Sequence, residues 1–341
     1  MQLKEHVALA PYTTFRIGGP ARWFAEAATE ADILEGVAFA RGRGVPLFVL
    51  GGGSNLLVSD AGYPGLVLHI GLRGVESLGE GVYTVAAGED WDSFVSQAVA
   101  ADYAGLECLA GIPGSVGGTP VQNVGAYGQE VSQTIVSVRA LDLRSETFVD
   151  IPASACGFAY RRSIFNGSER GRYIVSRVDY RLTKHLEPLI TYPDLKQYFQ
   201  EKREAPSLAE VASAVREIRR GKGMLLVDGD PDCVSAGSFF KNPVVAEAVL
   251  RAIEKRSDVP VPHYGAGPGH VKIPAAWLLE HAGFPKGYIL GRAGISSRHT
   301  LALINRGGAS AAEVLDLRDR IVASVESQYG IRLEPEPVLV S

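Results

Sequence analysis

Cysteine is scarce in this chain, and long apolar runs are missing from it. The three cysteines, Cys108, Cys156 and Cys233, are widely spaced and form no CxxC pair, which argues against a disulfide framework or a zinc site and favours a reducing compartment. No stretch approaches the roughly 18 apolar residues of a membrane span, and the N-terminal segment lacks the apolar core of a signal peptide. We therefore expect a cytoplasmic protein with no membrane partner.

Neither positive nor negative charge is in large excess. The chain has 34 Lys and Arg against 38 Asp and Glu, a net charge of −4, so there is no bulk electrostatic case for a nucleic-acid partner. Its 7 histidines are dispersed, with no two of them four residues apart, and we expect no metal site. A length of 341 residues exceeds one typical hydrophobic core and predicts two or three domains.

Glycine, by contrast, is concentrated in the stretch from Gly105 to Glu130. The stretch contains seven glycines and two prolines, at positions 105, 111, 114, 117, 118, 125, 128, 113 and 120. Each glycine costs about 0.5–1 kcal/mol relative to alanine inside a helix or strand, so a regular element is excluded. Backbone N–H groups in such a chain form concavities for anions, and interleaved apolar residues would anchor the stretch to a core. We interpret it as a cofactor cradle.

A second glycine cluster, Leu50–Asn55, lies between two short apolar runs. It differs from the dinucleotide fingerprint, because the chain returns to an apolar strand, Leu56–Val58, instead of opening a helix. Alone, the cluster is better explained as a tight turn between two strands. Together with the Gly105–Glu130 stretch, it indicates one extended, phosphate-bearing ligand.

Capping patterns and composition divide the chain. Serine or threonine is followed three residues later by an acidic residue at three capping-box positions, Thr29 with Asp32, Ser207 with Glu210, and Ser310 with Glu313. We also expect a helix from Asn242-Pro243 to about Arg256. A change to short strands and a later stretch rich in Gly and Asp predict domains at residues 1–72, 73–222 and 223–341.

Arg161 is a candidate for binding a carboxylate. It lies in the segment Ala159–Ser163, beside Arg162 and a hydroxyl. A guanidinium is planar, always charged and bidentate, which suits a carboxylate ligand. The alternative is a pair of solvated surface arginines.

Ser238 is a candidate proton donor in the segment Ser235–Pro243. The chain has no nucleophile elbow and no evident His–Asp pair, which argues against a hydrolase. A serine without a base is better suited to donating its own proton in a preorganised network. The alternative is a turn hydroxyl.

Glu336 is a candidate acid because Pro335 and Pro337 bracket it and hold the backbone extended. The alternative is a solvated edge strand near the end of the chain.

Six segments resemble, in order, those of UDP-N-acetylenolpyruvoylglucosamine reductases, the flavoenzymes of peptidoglycan synthesis. They are Thr13–Ala21, Leu50–Asp60, Gly111–Glu130, Tyr160–Phe165, Ser235–Pro243 and Ile273–Gly287. The resemblance spans about residues 12–337, and Thr191–Leu195 resembles the longer, type I form. It implies an α+β fold, with a two-subdomain FAD-binding module of the PCMH/VAO type followed by a C-terminal α+β substrate domain.

The resemblance also implies the cofactors. Non-covalent FAD would lie across residues 1–72 and 73–222, with NADPH as the co-substrate that reduces it. The residues that match the family's FAD contacts are Leu50, Gly51, Gly52, Gly53, Ser54, Asn55, Pro113, Gly114, Ser115, Gly117, Gly118, Thr119, Asn123, Gly125 and Ala126.

The implied reaction reduces UDP-N-acetylglucosamine enolpyruvate, with hydride passing from flavin N5 to C3. Arg161 matches the family's carboxylate-binding arginine, Glu336 the glutamate that assists it, and Ser238 the serine that protonates C2. The segment around Glu336 departs from the family pattern, since Pro337 replaces valine, and Glu334 is the alternative glutamate. Positions that match contacts to the nucleotide sugar or NADPH are Tyr192, Arg219, Lys222, Lys241, Asn242, Tyr264 and His299, where some members have glutamine at the last.

Two other functions fit parts of the pattern. A flavin-linked alcohol oxidase would often tether its flavin to His or Cys, yet no histidine lies in either glycine cluster. A nucleotide-sugar sensor without flavin would leave Ser238 and Glu336 without a role. We expect the reductase, acting as a monomer, with Tyr192 in a segment that closes over the substrate.

Overall fold

The computed structural model describes residues 1–188 and 190–341, which form two compact units. The first unit comprises Met1–Val7, Ala21–Gly53 and Pro64–Gly221, and the second comprises Ala8–Pro20, Ser54–Tyr63 and Lys222–Ser341. The boundary after residue 221 lies next to the expected division at 222 and 223. Residues 8–20 and 54–63 nevertheless belong with the C-terminal part, which no linear division predicts.

The first unit is built on two sheets. One sheet has its strands in the spatial order Leu3–Ala8, Pro20–Ala27, Tyr63–Ile70 and Leu47–Leu50. The other is antiparallel, in the order Thr147–Pro152, Ile135–Asp142, Tyr173–Arg181, Val82–Ala86 and Val75–Gly79. Shorter pairs join Tyr103–Ala104 to Thr183–Lys184 and Gly125–Ala126 to Gln129–Glu130.

The helices of the first unit are α1 (Glu30–Arg43), α2 (Trp91–Ala100), α3 (Pro193–Tyr198) and α4 (Leu208–Gly221). The predicted capping box of α1 is confirmed, because the Thr29 side chain accepts from the Asp32 N–H and the Asp32 carboxylate accepts from the Thr29 N–H. Gly44, with φ of 61°, ends the helix. The buried face of α2 packs Trp91 and Phe94 against Tyr180 of the antiparallel sheet.

The second unit contains α5 (Glu247–Glu254), α6 (Ala275–His281) and α7 (Ala311–Tyr329). It has two small three-stranded sheets. The strand order of the first is Val244–Ala246, His270–Lys272, Tyr264–Gly265. The strand order of the second is Ile289–Leu290, Ala293–Ile295, Leu303–Asn305. Val338–Val340 pairs in parallel with Leu56–Val58. Short 3₁₀ turns in the two units are Ala10–Tyr12, Glu107–Leu109, Val116–Gly118, Val131–Gln133, Ala153–Ala155 and Pro231–Cys233.

The predicted start of α5 is wrong. The chain from Val244 to Ala246 is a strand paired with His270–Lys272, and the helix begins only at Glu247. Valine pairs favour extended backbone, which outweighs the Asn-Pro start signal. The Asn242 side chain instead caps α6, since its Oδ1 accepts from the Ala275 N–H at 2.9 Å.

The strands on either side of Leu50–Asn55 do not pair with each other, so the cluster connects strands of two different sheets. Leu47–Leu50 pairs in parallel with residues 66–69, and Leu56–Val58 pairs in parallel with Val338–Val340. The partner of each strand is distant in the sequence, so the local sequence pattern does not predict it. In the described part of the chain, no helix is long and apolar enough to cross a membrane.

Candidate active site

The two glycine-rich stretches are in direct contact in the first unit. The Gly52 N–H donates to Ser115 Oγ at 3.2 Å. A Cβ atom at Gly52 would lie 2.6 Å from Gly114 Cα, and one at Gly51 would lie 2.8 Å from Ser115 Oγ. No side chain fits at such distances, so glycine is required for this approach.

Backbone hydrogen bonds fix the 115–119 turn against the antiparallel sheet. The Gly117 N–H donates to the Ala87 carbonyl at 2.8 Å, and a Cβ at Gly117 would lie 2.6 Å from the Ala87 Cβ. The Thr119 hydroxyl is buried and contacts the Val116 carbonyl at 2.8 Å and the Tyr180 hydroxyl at 2.9 Å. The Thr119 side chain therefore holds the loop in place.

Asn123 has a similar supporting position. Its side chain is 1% exposed, donates to Glu130 Oε2 at 2.7 Å and to the Ala159 carbonyl at 3.1 Å, and accepts from the Ser132 N–H. Its φ of 46° is a left-handed value that asparagine tolerates better than most residues. Asn123 thus connects the glycine-rich loop to the segment that contains Arg161.

Arg161 contacts the glycine-rich loop directly. Its Nη1 donates to the Gly125 carbonyl at 2.9 Å, and its guanidinium lies 5.6 Å from the Tyr160 ring centre. Arg161 is half-buried with φ of 55°, whereas Arg162 is exposed. Left-handed backbone in a long side chain is strained and is concentrated at functional sites. Arg161 therefore differs from its neighbour Arg162 in burial and in backbone conformation.

The cations at the end of α4 have different surroundings. Arg219 is 7% exposed, and its Nε donates to the Gly111 carbonyl at 3.0 Å. Burial lowers the pKa of Arg219, but a guanidinium stays protonated. Arg216 instead pairs with Asp92 at 2.6 Å. Of these two arginines, Arg219 is the one directed to the glycine-rich stretch.

Asp92 is a supporting residue that sequence reasoning missed. Its Oδ1 accepts from the Gly111 N–H at 2.6 Å and from Arg216. An acidic residue in the first turn of α2 has the pattern of an ordinary dipole partner, and only the fold shows its contact with the start of the glycine-rich stretch.

The Tyr192 segment packs on the same stretch. The Tyr192 ring, which is 41% exposed, meets the Tyr127 ring edge-on with 5.3 Å between centres. A Cβ at Gly128 would lie 2.6 Å from Thr191 Oγ1. Burial raises the pKa of Tyr127 to about 12, so Tyr127 remains a neutral packing surface for Tyr192.

In the second unit, Ser238 faces a histidine. Its Oγ lies 3.3 Å from His299 Nε2, and both residues are half-buried. The expectation of a serine without a base is therefore wrong. The two residues are 61 positions apart, which no local motif connects.

The other candidate acid, Glu336, is held beside the Ser238 segment. Its N–H donates to the Phe239 carbonyl at 2.8 Å, and its carbonyl accepts from Asn55 Nδ2 at 3.3 Å. Glu336 is half-buried, whereas Glu334 is exposed and pairs with Lys241 at 3.5 Å. Burial and position distinguish the two glutamates and favour Glu336.

The remaining residues predicted to bind the substrate or cofactor lie on several separate elements. Tyr264 is 61% exposed on its short strand, and Lys222, half-buried, begins the main segment of the second unit. The Asn242 amide oxygen accepts from the α6 backbone. Ser54 and Asn55 belong to the second unit, whereas Leu50–Gly53 belongs to the first.

Comparison with known proteins first defines the class. An FAD binding domain model matches residues 21–151, the part that contains both glycine clusters, so the chain is an FAD-binding protein. The residues fit the cofactor, because the contact between Gly52 and Gly114 brings together two stretches of glycine-rich backbone, whose N–H groups suit phosphate. Pro113, Gly118 and Ala126 lie in the same loop.

A second model, of the UDP-N-acetylenolpyruvoylglucosamine reductase C-terminal domain, matches residues 230–340. The chain is 44% identical to the reductase of Thermobifida fusca, over 98% of this chain and 97% of that protein. It is 45% identical to that of Streptomyces avermitilis, over 97% and 93%. A solved reductase structure from Thermus caldophilus matches all of both chains with a TM-score of 0.70 and 27% identity.

The chain belongs to the UDP-N-acetylenolpyruvoylglucosamine reductase family. The family resemblance, the α+β fold with an FAD-binding module followed by a C-terminal domain, and the FAD cofactor are thereby confirmed. The chain is an FAD-dependent oxidoreductase.

Proposed function

We propose that this protein reduces UDP-N-acetylglucosamine enolpyruvate to UDP-N-acetylmuramate, a peptidoglycan precursor, with NADPH as the electron source. The observation that carries the proposal is the presence of an FAD-binding part and a reductase C-terminal part in one chain, at 44% identity to a reductase over 98% of its length. Bound FAD supplies hydride from N5 to C3 of the substrate.

We assign the binding of the substrate carboxylate to Arg161. Its guanidinium is held at the glycine-rich loop by the Gly125 carbonyl, and an always-charged bidentate donor suits the negative charge that develops on the carboxylate during reduction. Glu336 assists the same carboxylate. Its backbone is fixed through Phe239, the residue after Ser238.

Ser238 donates the proton to C2. In the described part of the chain, its hydroxyl faces His299, and no carboxylate or backbone carbonyl there holds it permanently as a donor. Contacts to the nucleotide sugar or NADPH are assigned to Tyr192, Arg219, Lys222, Lys241, Asn242, Tyr264 and His299.

The FAD contacts are assigned to the Leu50–Asn55 and Pro113–Ala126 stretches. In these stretches, Thr119 and Asn123 act through their backbone, because their side chains hold the loop. We further propose a cytoplasmic monomer with functional domains at residues 1–72, 73–222 and 223–341. The three cysteines are buried and unpaired, which supports a reducing compartment.

The test is turnover by the FAD-loaded protein under anaerobic conditions, with the product identified by mass spectrometry. We expect one NADPH to be consumed for each UDP-N-acetylmuramate formed. Protein that stays colourless with FAD would favour a sensor. Flavin that remains attached after acid precipitation would favour an oxidase, and yellow, NADPH-reducible protein that forms no product would reject the proposed substrate.

A further inference from the structure

The pair formed by Ser238 and His299 lies in the second unit. Their 3.3 Å contact joins the serine hydroxyl to the Nε2 atom, within the reach of a hydrogen bond and of proton transfer. The N–H of Phe239, the residue after Ser238, donates to the Leu301 carbonyl at 2.7 Å. This backbone bond joins the two segments close to the side-chain contact.

A buried serine hydroxyl also holds the backbone of the loop that contains His299. The fully buried Ser296 Oγ accepts from the backbone N–H groups of Arg298 at 3.1 Å and His299 at 3.3 Å. The His299 carbonyl accepts from the Ala302 N–H at 3.0 Å. These bonds hold the His299 backbone, and a supported backbone helps a side chain to keep a productive geometry.

Two aspartates, Asp230 and Asp232, also bind this loop. Asp232 accepts from the Ser297 N–H at 2.8 Å and from Arg298 Nε at 3.0 Å, and Arg298 also pairs with Asp230. Burial alone would raise the pKa of Asp232, but the hydrogen bonds from Ser297, Ser296 and Arg298 lower it overall. The Arg298 charge is therefore neutralised by two carboxylates next to His299.

A serine hydroxyl that protonates carbon is left as an alkoxide, which is costly unless a second donor supplies a proton. Histidine is the side chain whose ordinary pKa, about 6.5, allows this near neutral pH. We propose that His299 supplies the proton that Ser238 passes to the substrate and holds the hydroxyl in the donating orientation. This inference rests on the proposed function and makes His299 a positioning residue that acts through Ser238.

The step balances as follows. Bound FAD in its reduced form would supply hydride to C3. The C2=C3 π bond breaks, and its electron pair forms the C–H bond at C2 with the proton released as the Ser238 O–H bond breaks. Ser238 Oγ takes the Nε2 proton of the His299 imidazolium. The neutral imidazole then takes a proton from solvent before the next turnover.

The first test uses His299→Gln, which can still hydrogen-bond to Ser238 but cannot deliver a proton. We expect reoxidation of the NADPH-reduced flavin by the enolpyruvyl nucleotide sugar to slow about 100-fold, with NADPH reduction changed less than about twofold. The rate of reoxidation should also lose its break near the histidine pKa, about pH 6.5. The exposed His270 provides the matched control, and His270→Gln should behave as wild type.

The pH at which the reoxidation rate changes must be assigned to one group, because several ionisable groups lie close in sequence to Ser238 and His299. Arg298 with Asp230 and Asp232 are on the His299 side, and Lys241 with Glu334, and Glu336, are on the Ser238 side. Arginine, lysine and carboxylates ordinarily titrate away from pH 6.5. Retention of the break in Glu336→Gln, together with its loss in His299→Gln, would assign it to the histidine.

A second test does not depend on turnover. The His299 imidazole is titrated by nitrogen NMR in the wild type and in Ser238→Ala, where loss of the hydroxyl partner should move the titration. An unchanged titration, or a His299→Gln variant with only a raised KM and an intact pH break, would overturn the proposal. A wild-type enzyme that is never reoxidised by this substrate would reject the proposed function instead, while the NMR result would still report the pairing.

Discussion

The backbone N–H of Gly52 donates to the hydroxyl of Ser115 across 3.2 Å, 63 residues further along the chain. This contact joins the two glycine clusters within the first unit and leaves no room for a Cβ atom at position 52. The approach of two backbones, rather than any single motif, makes this region fit FAD.

Gly52→Ala should therefore lose flavin. The new Cβ would lie 2.6 Å from the Gly114 Cα, so the loops must separate, and we expect the ratio of flavin to protein absorbance to fall at least tenfold. Gly42 in α1 has open space around it, and Gly42→Ala should keep its flavin and gain about 0.5–1 kcal/mol of stability. Equal flavin content in the two variants would contradict the role of this contact.

Arg161→Lys should impair turnover much more than Arg162→Lys. Lysine keeps the charge but loses the planar, bidentate donor, and Arg161 is the half-buried arginine that contacts Gly125. We expect kcat to fall about 100-fold in steady-state assays of the first variant and less than twofold in those of the exposed second. If both variants fall equally, or neither does, the assignment of Arg161 is wrong.

The Tyr192 variants separate packing from hydrogen bonding. Tyr192→Phe keeps the edge-on contact with Tyr127, which has 5.3 Å between ring centres, whereas Tyr192→Ala removes it. We expect Tyr192→Ala to raise KM for the nucleotide sugar about tenfold with unchanged flavin content, and Tyr192→Phe to show how much of that rise comes from the hydroxyl. An unchanged KM in both would rule out a closing segment at this position.

Glu313 predicts an acid dependence of stability. The backbone N–H groups of Ser310 and Arg292 hold the pKa of Glu313 at about 2, below the ordinary 4.5. A depressed folded-state pKa contributes stability above the unfolded-state value, and that contribution is lost as the pH falls from 4.5 towards 2. Glu313→Gln should therefore lower the urea midpoint at pH 7, and the gap to wild type should close near pH 2.

The exposed Glu254 of α5 provides the control for this comparison. Glu254→Gln should leave the urea midpoint nearly unchanged across the same pH range. A gap between Glu313→Gln and wild type that persists at acid pH would show that packing, rather than the charge, is responsible.

Helix ends were predictable from the sequence because capping is local. The side chains of Thr29, Ser207 and Ser310 bond within three residues of themselves.

Contacts between distant residues were not predictable in this way. Asp92 and Arg216 are 124 residues apart, and each has the pattern of an ordinary helix residue. Asn242 has a helix-start pattern but caps the neighbouring α6. Arg161, Ser238 and Glu336 were candidates from their residue types, and the family resemblance implied their roles. The pairing of Ser238 with His299 required the fold.

The most direct test of the account is anaerobic stopped-flow spectroscopy of Ser238→Ala beside wild type. NADPH first bleaches the flavin, and UDP-N-acetylglucosamine enolpyruvate is then added. We predict normal bleaching and a reoxidation rate at least 100-fold below wild type, because the proton donor to C2 is missing. Normal rates in both halves would show that Ser238 is only a turn residue and that the proton comes from another group.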